Sequence, residues 1–153
     1  MKKIALGSDH AGFKLKEHVK KYLLSINYNV IDFGTVSEEP VDYPDFILKT
    51  AEYVSMDKAD YGIVFGGSGN GEAIAANKVN NIRCALCWSD ESAKLAKVHN
   101  NANMISIGER LTGNDDAVRI VDIWLNSEFE GGRHQRRINL ISDYEMTRKN
   151  LAR

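Results

Sequence analysis

The run Gly66-Gly67-Ser68-Gly69-Asn70-Gly71-Glu72 places four glycines in six positions, so the backbone itself must approach something there. It follows an apolar, β-branched stretch, Tyr61 to Phe65, and leads into a helix-like stretch, Ala73 to Lys78. A strand, a glycine-rich turn and a helix N-terminus together present backbone N–H groups and the positive end of a helix dipole. That combination suits an anion or a developing oxyanion. Glu72 stands beside the turn, where a proton could be moved. Taken alone, the loop reads equally as a tight β-to-α turn with an acidic residue favourably placed in a first helical turn.

Other polar residues carry the same double reading. Asp9 and His10 directly follow the apolar run Lys3 to Gly7, where Asp9 fits the cap of a helix starting near Phe13. A carboxylate and an imidazole side by side at a strand end can also exchange protons and hold sugar hydroxyls. His99 shares a stripe with Leu95 and Ala96, the place of a core or helix C-terminal histidine, and Asn100-Asn101 marks the end of that helix. Arg133 and Arg137 are four apart and share a helix face, with His134 and Arg136 thickening the positive charge; such a cluster is either a solvated surface or a phosphate clamp. Cys84 and Cys87 have C-x-x-C spacing, but in a strand they point to opposite faces, and no second pair or nearby H-x-x-x-H completes a metal site. They read as small buried hydrophobes.

These residues need a scaffold, and its elements alternate along the chain. Short apolar runs at Lys3 to Gly7, Asn29 to Phe33, Tyr61 to Phe65, Cys84 to Trp88 and Met104 to Ile107 have the length and composition of buried parallel strands. Between them, Leu15, Val19, Tyr22, Leu23 and Ile26, then Ile47, Ala51 and Val54, then Leu95 and Ala96, then Ala117, Ile120, Val121, Trp124 and Leu125 recur at helical spacing. The pattern predicts a doubly wound, three-layer α/β/α fold with a five-stranded parallel Rossmann-like sheet. Ile138, Ile141 and Tyr144 predict an extra C-terminal helix over about 131–150, with no strand left to cover and therefore a face for another subunit.

In an open parallel sheet the ligand site lies outside the carboxyl ends of the strands. Ser8-Asp9-His10 follows the first strand, the glycine loop the third and Gly108-Glu109-Arg110 the fifth. His99 ends the helix that feeds the fifth strand, so in a monomer it falls at the opposite edge.

The 153 residues form one domain, long enough to bury roughly two-thirds of the unfolded surface. A net charge of -1 gives no electrostatic reason to expect nucleic acid. The N-terminal apolar run is too short for a signal peptide or membrane span, so a cytosolic location is the default expectation.

Seven segments occur together: Ser8-Asp9-His10-Ala11-Gly12, Asp42-Tyr43-Pro44-Asp45, Gly67-Ser68-Gly69-Asn70-Gly71, Ala75-Ala76-Asn77-Lys78, His99-Asn100-Asn101-Ala102-Asn103, Gly108-Glu109-Arg110, and Gly131-Gly132-Arg133-His134-Gln135-Arg136-Arg137. In this order they resemble the type B ribose-5-phosphate isomerases, within the wider group that includes galactose-6-phosphate isomerase subunits. The resemblance runs from about Lys3 to about Glu145.

The resemblance implies aldose–ketose isomerisation of ribose 5-phosphate and ribulose 5-phosphate through an enediolate, with no metal and no organic cofactor. Many members carry a cysteine base directly before the Gly-[ST]-Gly segment. Here that position is Gly66, and the chain matches a subgroup with a glutamate after the loop, which makes Glu72 the base. Carried across, His99 resembles the ring-opening acid, with Asp9 assisting, and Ser68 a proton relay. The N–H groups from Gly67 through Ser68, Gly69 and Asn70 to Gly71 resemble the anion hole. Asp9, His10 and Asn100 resemble hydroxyl contacts, and Arg110, Arg133, His134 and Arg137 the phosphate clamp. A site shared between subunits would resolve the placement of His99 and implies a homodimer or a dimer of dimers.

Two alternatives stay open. One is a hexose-6-phosphate isomerase of allose or galactose type. The other is a non-catalytic phosphosugar-binding module or assembly subunit, although retention of Glu72, Asp9, Ser68 and His99 together speaks against it. A dinucleotide role fits poorly, because the loop follows the third strand and is spaced G-x-G-x-G rather than G-x-G-x-x-G.

Overall fold

The computed structural model describes residues 1–151. Its elements run β1 (Lys3–Ser8), α1 (Phe13–Ser25), β2 (Asn29–Asp32), α2 (Tyr43–Ser55), β3 (Tyr61–Gly66), α3 (Asn70–Ala76), β4 (Cys84–Leu86), α4 (Asp90–Val98), β5 (Met104–Gly108), α5 (Asn114–Asn126) and α6 (Arg133–Leu151). The strands pair in parallel in the order β2-β1-β3-β5-β4.

Period-two alternation divides the strand side chains between two cores. Ile4, Leu6, Ile63, Phe65, Ile105 and Ile107 face one layer, where Leu15 and Val19 of α1, Ala93 and Ala96 of α4, and Val121 and Trp124 of α5 pack. Ala5, Val64 and Met104 face the other, against Ile47, Ala51 and Val54 of α2 and Ala75 and Ala76 of α3. The expected three-layer α/β/α sandwich is therefore present. The cysteines obey the same rule, with Cys84 in the second core and Cys87 in the first, both free. Burial pushes the Cys87 thiol up to about 12 and that of Cys84 higher still, which leaves both unreactive.

Several element ends differ from the sequence reading, most of them by one residue and some by more. β4 stops at Leu86 rather than Trp88. The Cys87 N–H still donates to the Ser106 carbonyl at 2.9 Å, but Ser89 and Ser92 form a capping box that turns the chain into α4. The helix after the glycine loop begins at Asn70 rather than Ala73, because Gly69, at φ 82°, reverses the chain directly into it. The last helix starts at Arg133 once Gly131 and Gly132 have broken the chain.

Strand order decides what meets at the carboxyl edge. The chain reverses direction across the sheet between β1 and β3, and β5 lies on the far side of β3, so the loops after β1, β3 and β5 emerge side by side. Register makes them level, with Ser8 opposite Phe65 and Gly66 opposite Gly108.

Trp124 closes the first core from α5, fully buried, its indole N–H donating to the Ala102 carbonyl at 3.1 Å and its ring edge-on to Tyr61. Trp124→Ala removes a large buried ring and leaves that carbonyl unpaired. We expect a loss of about 3–5 kcal/mol in urea unfolding, with the native fold retained below the transition.

Candidate active site

Glu72 enters the carboxyl edge from the first turn of α3 and is 4% exposed. Its carboxyl group fills the space in which a side chain at position 66 would begin: a β-carbon on Gly66 would coincide with it. The glycine is required, and the carboxylate takes the place a residue-66 side chain would occupy in relatives that have one. Burial raises the Glu72 pKa above its ordinary value, with its own backbone N–H opposing the shift and the negative charge of Asp9 adding to it.

Asp9 is buried at the end of β1, where its Oδ1 accepts the Gly12 N–H at 3.1 Å. Asp9 thus has the local role that its position allows and also lies within electrostatic reach of Glu72. The next residue is oriented as well. His10 Nδ1 accepts the Val41 N–H at 3.0 Å, so a neutral ring carries its proton on Nε2. Ser68 is half-buried in the glycine loop, and its hydroxyl accepts the Asn70 N–H at 3.2 Å.

Arg110 arrives from β5. The N–H groups of Glu109 and Arg110 donate to the Gly66 and Gly67 carbonyls at 2.8 and 3.0 Å, which zips this turn onto the glycine loop. The Arg110 guanidinium lies flat against Gly67, with Nη1 2.8 Å from the place of a β-carbon there. Two carboxylates, an imidazole, a hydroxyl and a cation therefore gather at the glycine loop.

The remaining predicted residues gather elsewhere. α4 runs from Asp90 at the carboxyl edge to Val98, so His99 and Asn100 come out at the amino edge. A parallel strand rises about 3.3 Å per residue, so the five residues of β5 alone hold the two edges on the order of 15 Å apart. At the amino edge the His99 and His134 rings stack at 4.4 Å and 15°, beside a cavity of about 220 Å³ that Asn100, Arg137, Ile138 and Ile141 also line. His134 is buried, its Nε2 has Glu130 Oε2 at 3.9 Å but no hydrogen-bond partner among the described residues, and desolvation followed by the charges of Arg133 and His99 holds its pKa below the ordinary value. Arg133 is exposed, near Glu130 at 3.7 Å. The structure thus brings Asp9, His10, Ser68, Glu72 and Arg110 together, and separately His99, Asn100, Arg133, His134 and Arg137.

His99, Glu130 and His134 place donor atoms within 4.8 Å of one another, close enough to raise the question of a metal. A metal ion lies in the plane of each imidazole that binds it. Two nearly parallel planes do not meet at bonding distance, so the rings as placed do not share one ion.

Two residues that the sequence reading left without a role belong to the carboxyl edge. Tyr43, on the first turn of α2, lays its ring and hydroxyl against Gly71. Glu109 reaches α1, where its Oε1 accepts the Leu15 N–H at 2.6 Å. Both stood in quoted segments, Asp42-Tyr43-Pro44-Asp45 and Gly108-Glu109-Arg110, but only the folded chain shows what they touch. The acidic residue ending β2, Asp32, is already engaged. Although burial raises its pKa, hydrogen bonds from buried Lys16, at 2.6 Å, and from Lys20, at 2.9 Å, outweigh that and hold it below the ordinary range. A nucleotide ribose would need that carboxylate free.

A doubly wound sheet with a buried carboxylate beside a glycine loop at its carboxyl edge has these groups where such folds bind ligands. Comparison with known proteins makes the class specific. Residues 4–141 match the family described as Ribose/Galactose Isomerase. The ribose-5-phosphate isomerase B of Mycolicibacterium paratuberculosis is 46% identical over 147 residues, covering 95% of this chain and 92% of the relative. The solved structure of Clostridium thermocellum ribose-5-phosphate isomerase B superposes with a TM-score of 0.93 at 49% identity, covering 95% and 98% of the two chains. That of Mycoplasma genitalium ribose-5-phosphate isomerase B, solved with bound ribulose 5-phosphate, superposes at 0.91 with 40% identity over 94% and 96%. The chain belongs to the ribose/galactose isomerase family. No helix among the described residues is long and apolar enough to cross a membrane.

The raised pKa of Glu72 has a consequence for stability. A carboxyl group whose folded-state pKa lies above its unfolded value of about 4.5 favours folding below that value, and the advantage is lost as the pH rises through the folded pKa. Above the folded pKa the wild type must bury a negative charge that Gln never carries. Glu72→Gln should therefore raise the urea midpoint at pH 7, and the gain should vanish below pH 4.5; an equal gain at both pH values would refute the shift.

Proposed function

We propose that this chain interconverts ribose 5-phosphate and ribulose 5-phosphate, with Glu72 as the base, and that a second copy of the chain completes the site. The observation that carries the proposal is the Glu72 carboxyl group buried beneath Gly66 at the glycine cradle.

Isomerisation moves one proton between adjacent carbons and leaves the substrate's electron count unchanged, so the residues needed are a base, acids and donors for oxygen. In the ring-opening step His99 gives a proton to the ring oxygen and Asp9 takes one from the anomeric hydroxyl. Glu72 then removes the proton from the second carbon and returns it to the first. Ser68 and the N–H groups between Gly67 and Gly71 hold the enediolate oxygens during that transfer. His10, with its proton on Nε2, and Asn100 hold the sugar hydroxyls. Arg110, Arg133, His134 and Arg137 clamp the phosphate. No metal or organic cofactor has a part in this scheme. A cytosolic place accords with a soluble sugar-phosphate substrate.

A single chain cannot bring its own His99 to its own Glu72, because the sheet stands between them. A second copy can, with its amino-edge cluster set over the first copy's carboxyl edge. The C-terminal helix supports this assembly. Beyond buried His134 and Ile138, α6 exposes Leu140, Ile141, Tyr144 and Met146, a surface that a second copy would cover in a homodimer or a dimer of dimers. The single domain of residues 1–153 would thus be a half-site unit.

Glu72→Gln should lower kcat by about a thousandfold with little change in KM, since only proton transfer is removed. Galactose 6-phosphate and allose 6-phosphate assayed beside ribose 5-phosphate should turn over more slowly; preference for a hexose phosphate would keep the mechanism and change the substrate. Mixing and reassembling inactive Glu72→Gln with inactive His99→Asn should restore roughly a quarter of wild-type activity, because half the dimers are then hybrids with one intact site. No recovery on mixing would overturn the shared site.

A further inference from the structure

We infer that Glu109 is a positioning residue for this reaction: it braces the phosphate-binding turn against the start of α1 and thereby sets the length of substrate the site accepts. The inference rests on the isomerase reading above.

α1 has no cap of its own. Its N-cap position is Gly12, no side chain there accepts a hydrogen bond, and no acidic residue occupies its first turn. A helix start leaves several N–H groups without intrahelical acceptors, and an uncapped end is costly where it is buried. Here Asp9 takes the Gly12 N–H, and Glu109, 94 residues away in sequence, takes the Leu15 N–H at 2.6 Å. Leu15 is fully buried, so its amide has little access to water as a substitute. A carboxylate at this end also complements the helix dipole.

The main chain of Glu109 faces another way. Its N–H donates to the Gly66 carbonyl, directly above the Glu72 carboxyl group, and the next N–H, of Arg110, donates to Gly67. One residue therefore joins the first turn of α1, which follows the Asp9–His10 turn, to the glycine loop that leads to Glu72 and to the proposed phosphate-binding Arg110. In the proposed binding mode the hydroxyl end meets His10, just before α1, and the phosphate end meets Arg110, next to Glu109, so the brace runs between groups that hold the two ends. Its rigidity fixes the distance between them, and a misplacement of about 1 Å at such a site can cost a hundredfold in rate.

Loss of the brace should affect ligands that span both ends and spare ligands that occupy one. Glu109→Ala should raise KM for ribose 5-phosphate by about tenfold, lower kcat, and reduce the preference for ribose 5-phosphate over allose 6-phosphate, while inhibition by inorganic phosphate stays within about twofold of wild type. Glu109→Gln, whose amide oxygen can accept the same N–H, should return KM to within about threefold of wild type. A role confined to folding would lower only the fraction of active protein, leaving KM and the pentose preference unchanged; that result would overturn the proposal, as would a Gln variant no better than Ala. Hydrogen exchange of the Leu15 amide, faster in Glu109→Ala and restored in Glu109→Gln, tests the brace without any substrate, and unchanged exchange would refute it. If wild type fails to turn over ribose 5-phosphate, the isomerase reading fails, while the exchange result still judges the contact.

Discussion

The parallel register of three central strands is the constraint on which the rest of the site depends. β1, β3 and β5 lie next to one another and end level, so residues from positions 9, 66–72 and 108–110 converge without long loops. Each strand is buried on both faces, and slippage by one residue would exchange the two cores. The hydrophobic packing that stabilises the sheet is therefore also what aligns the catalytic edge. The glycines at the strand ends follow from the same crowding. Gly66 and Gly108 face each other across the ladder, and at position 66 the missing side chain gives room to a carboxyl group.

Burial of that carboxyl group is the main electrostatic expense of the fold. Glu72 sits out of water, with Asp9 nearby and no cation bonded to it among the described residues, and its raised pKa reflects both. The contrast with Asp32 is instructive. That carboxylate is also half-buried, yet Lys16 and Lys20 neutralise it and its pKa falls. One acidic residue is tied into structure with its pKa lowered, whereas the other is left unpaired with its pKa raised, a difference that fits the proposed role of Glu72 in moving a proton. The carboxylates of Asp9 and Glu109 have a third use, satisfying the start of α1.

The amino edge has a different character. The stacked imidazoles and the neighbouring arginines line a small cavity beside α6, whereas the carboxyl edge holds the buried carboxylates and few cations. The two surfaces are complementary in chemistry and separated by the thickness of the sheet. α6 adds an apolar face that the chain itself leaves open. The proposed assembly of two copies would satisfy both features at once, by covering the helix and joining the two surfaces.

Much of this protein was legible in local sequence. Alternating apolar runs and helical stripes predicted every strand and the layer arrangement, because those periodicities reflect burial on one or two faces. Residue types marked where chemistry could sit, a glycine loop, a neighbouring glutamate and an arginine pair, but each also had a purely structural reading until the segments were taken together. Errors fell at element ends, as where the Ser89–Ser92 capping box ends β4 early and Gly69 starts α3 early. What only the tertiary structure decided was which distant residues meet: Glu72 beneath Gly66, Lys16 on Asp32, Tyr43 on Gly71, and Glu109 on an amide 94 positions away. Those contacts, and the pKa shifts that follow from them, arise from strand order and register across the whole sheet, which no local pattern of residues encodes.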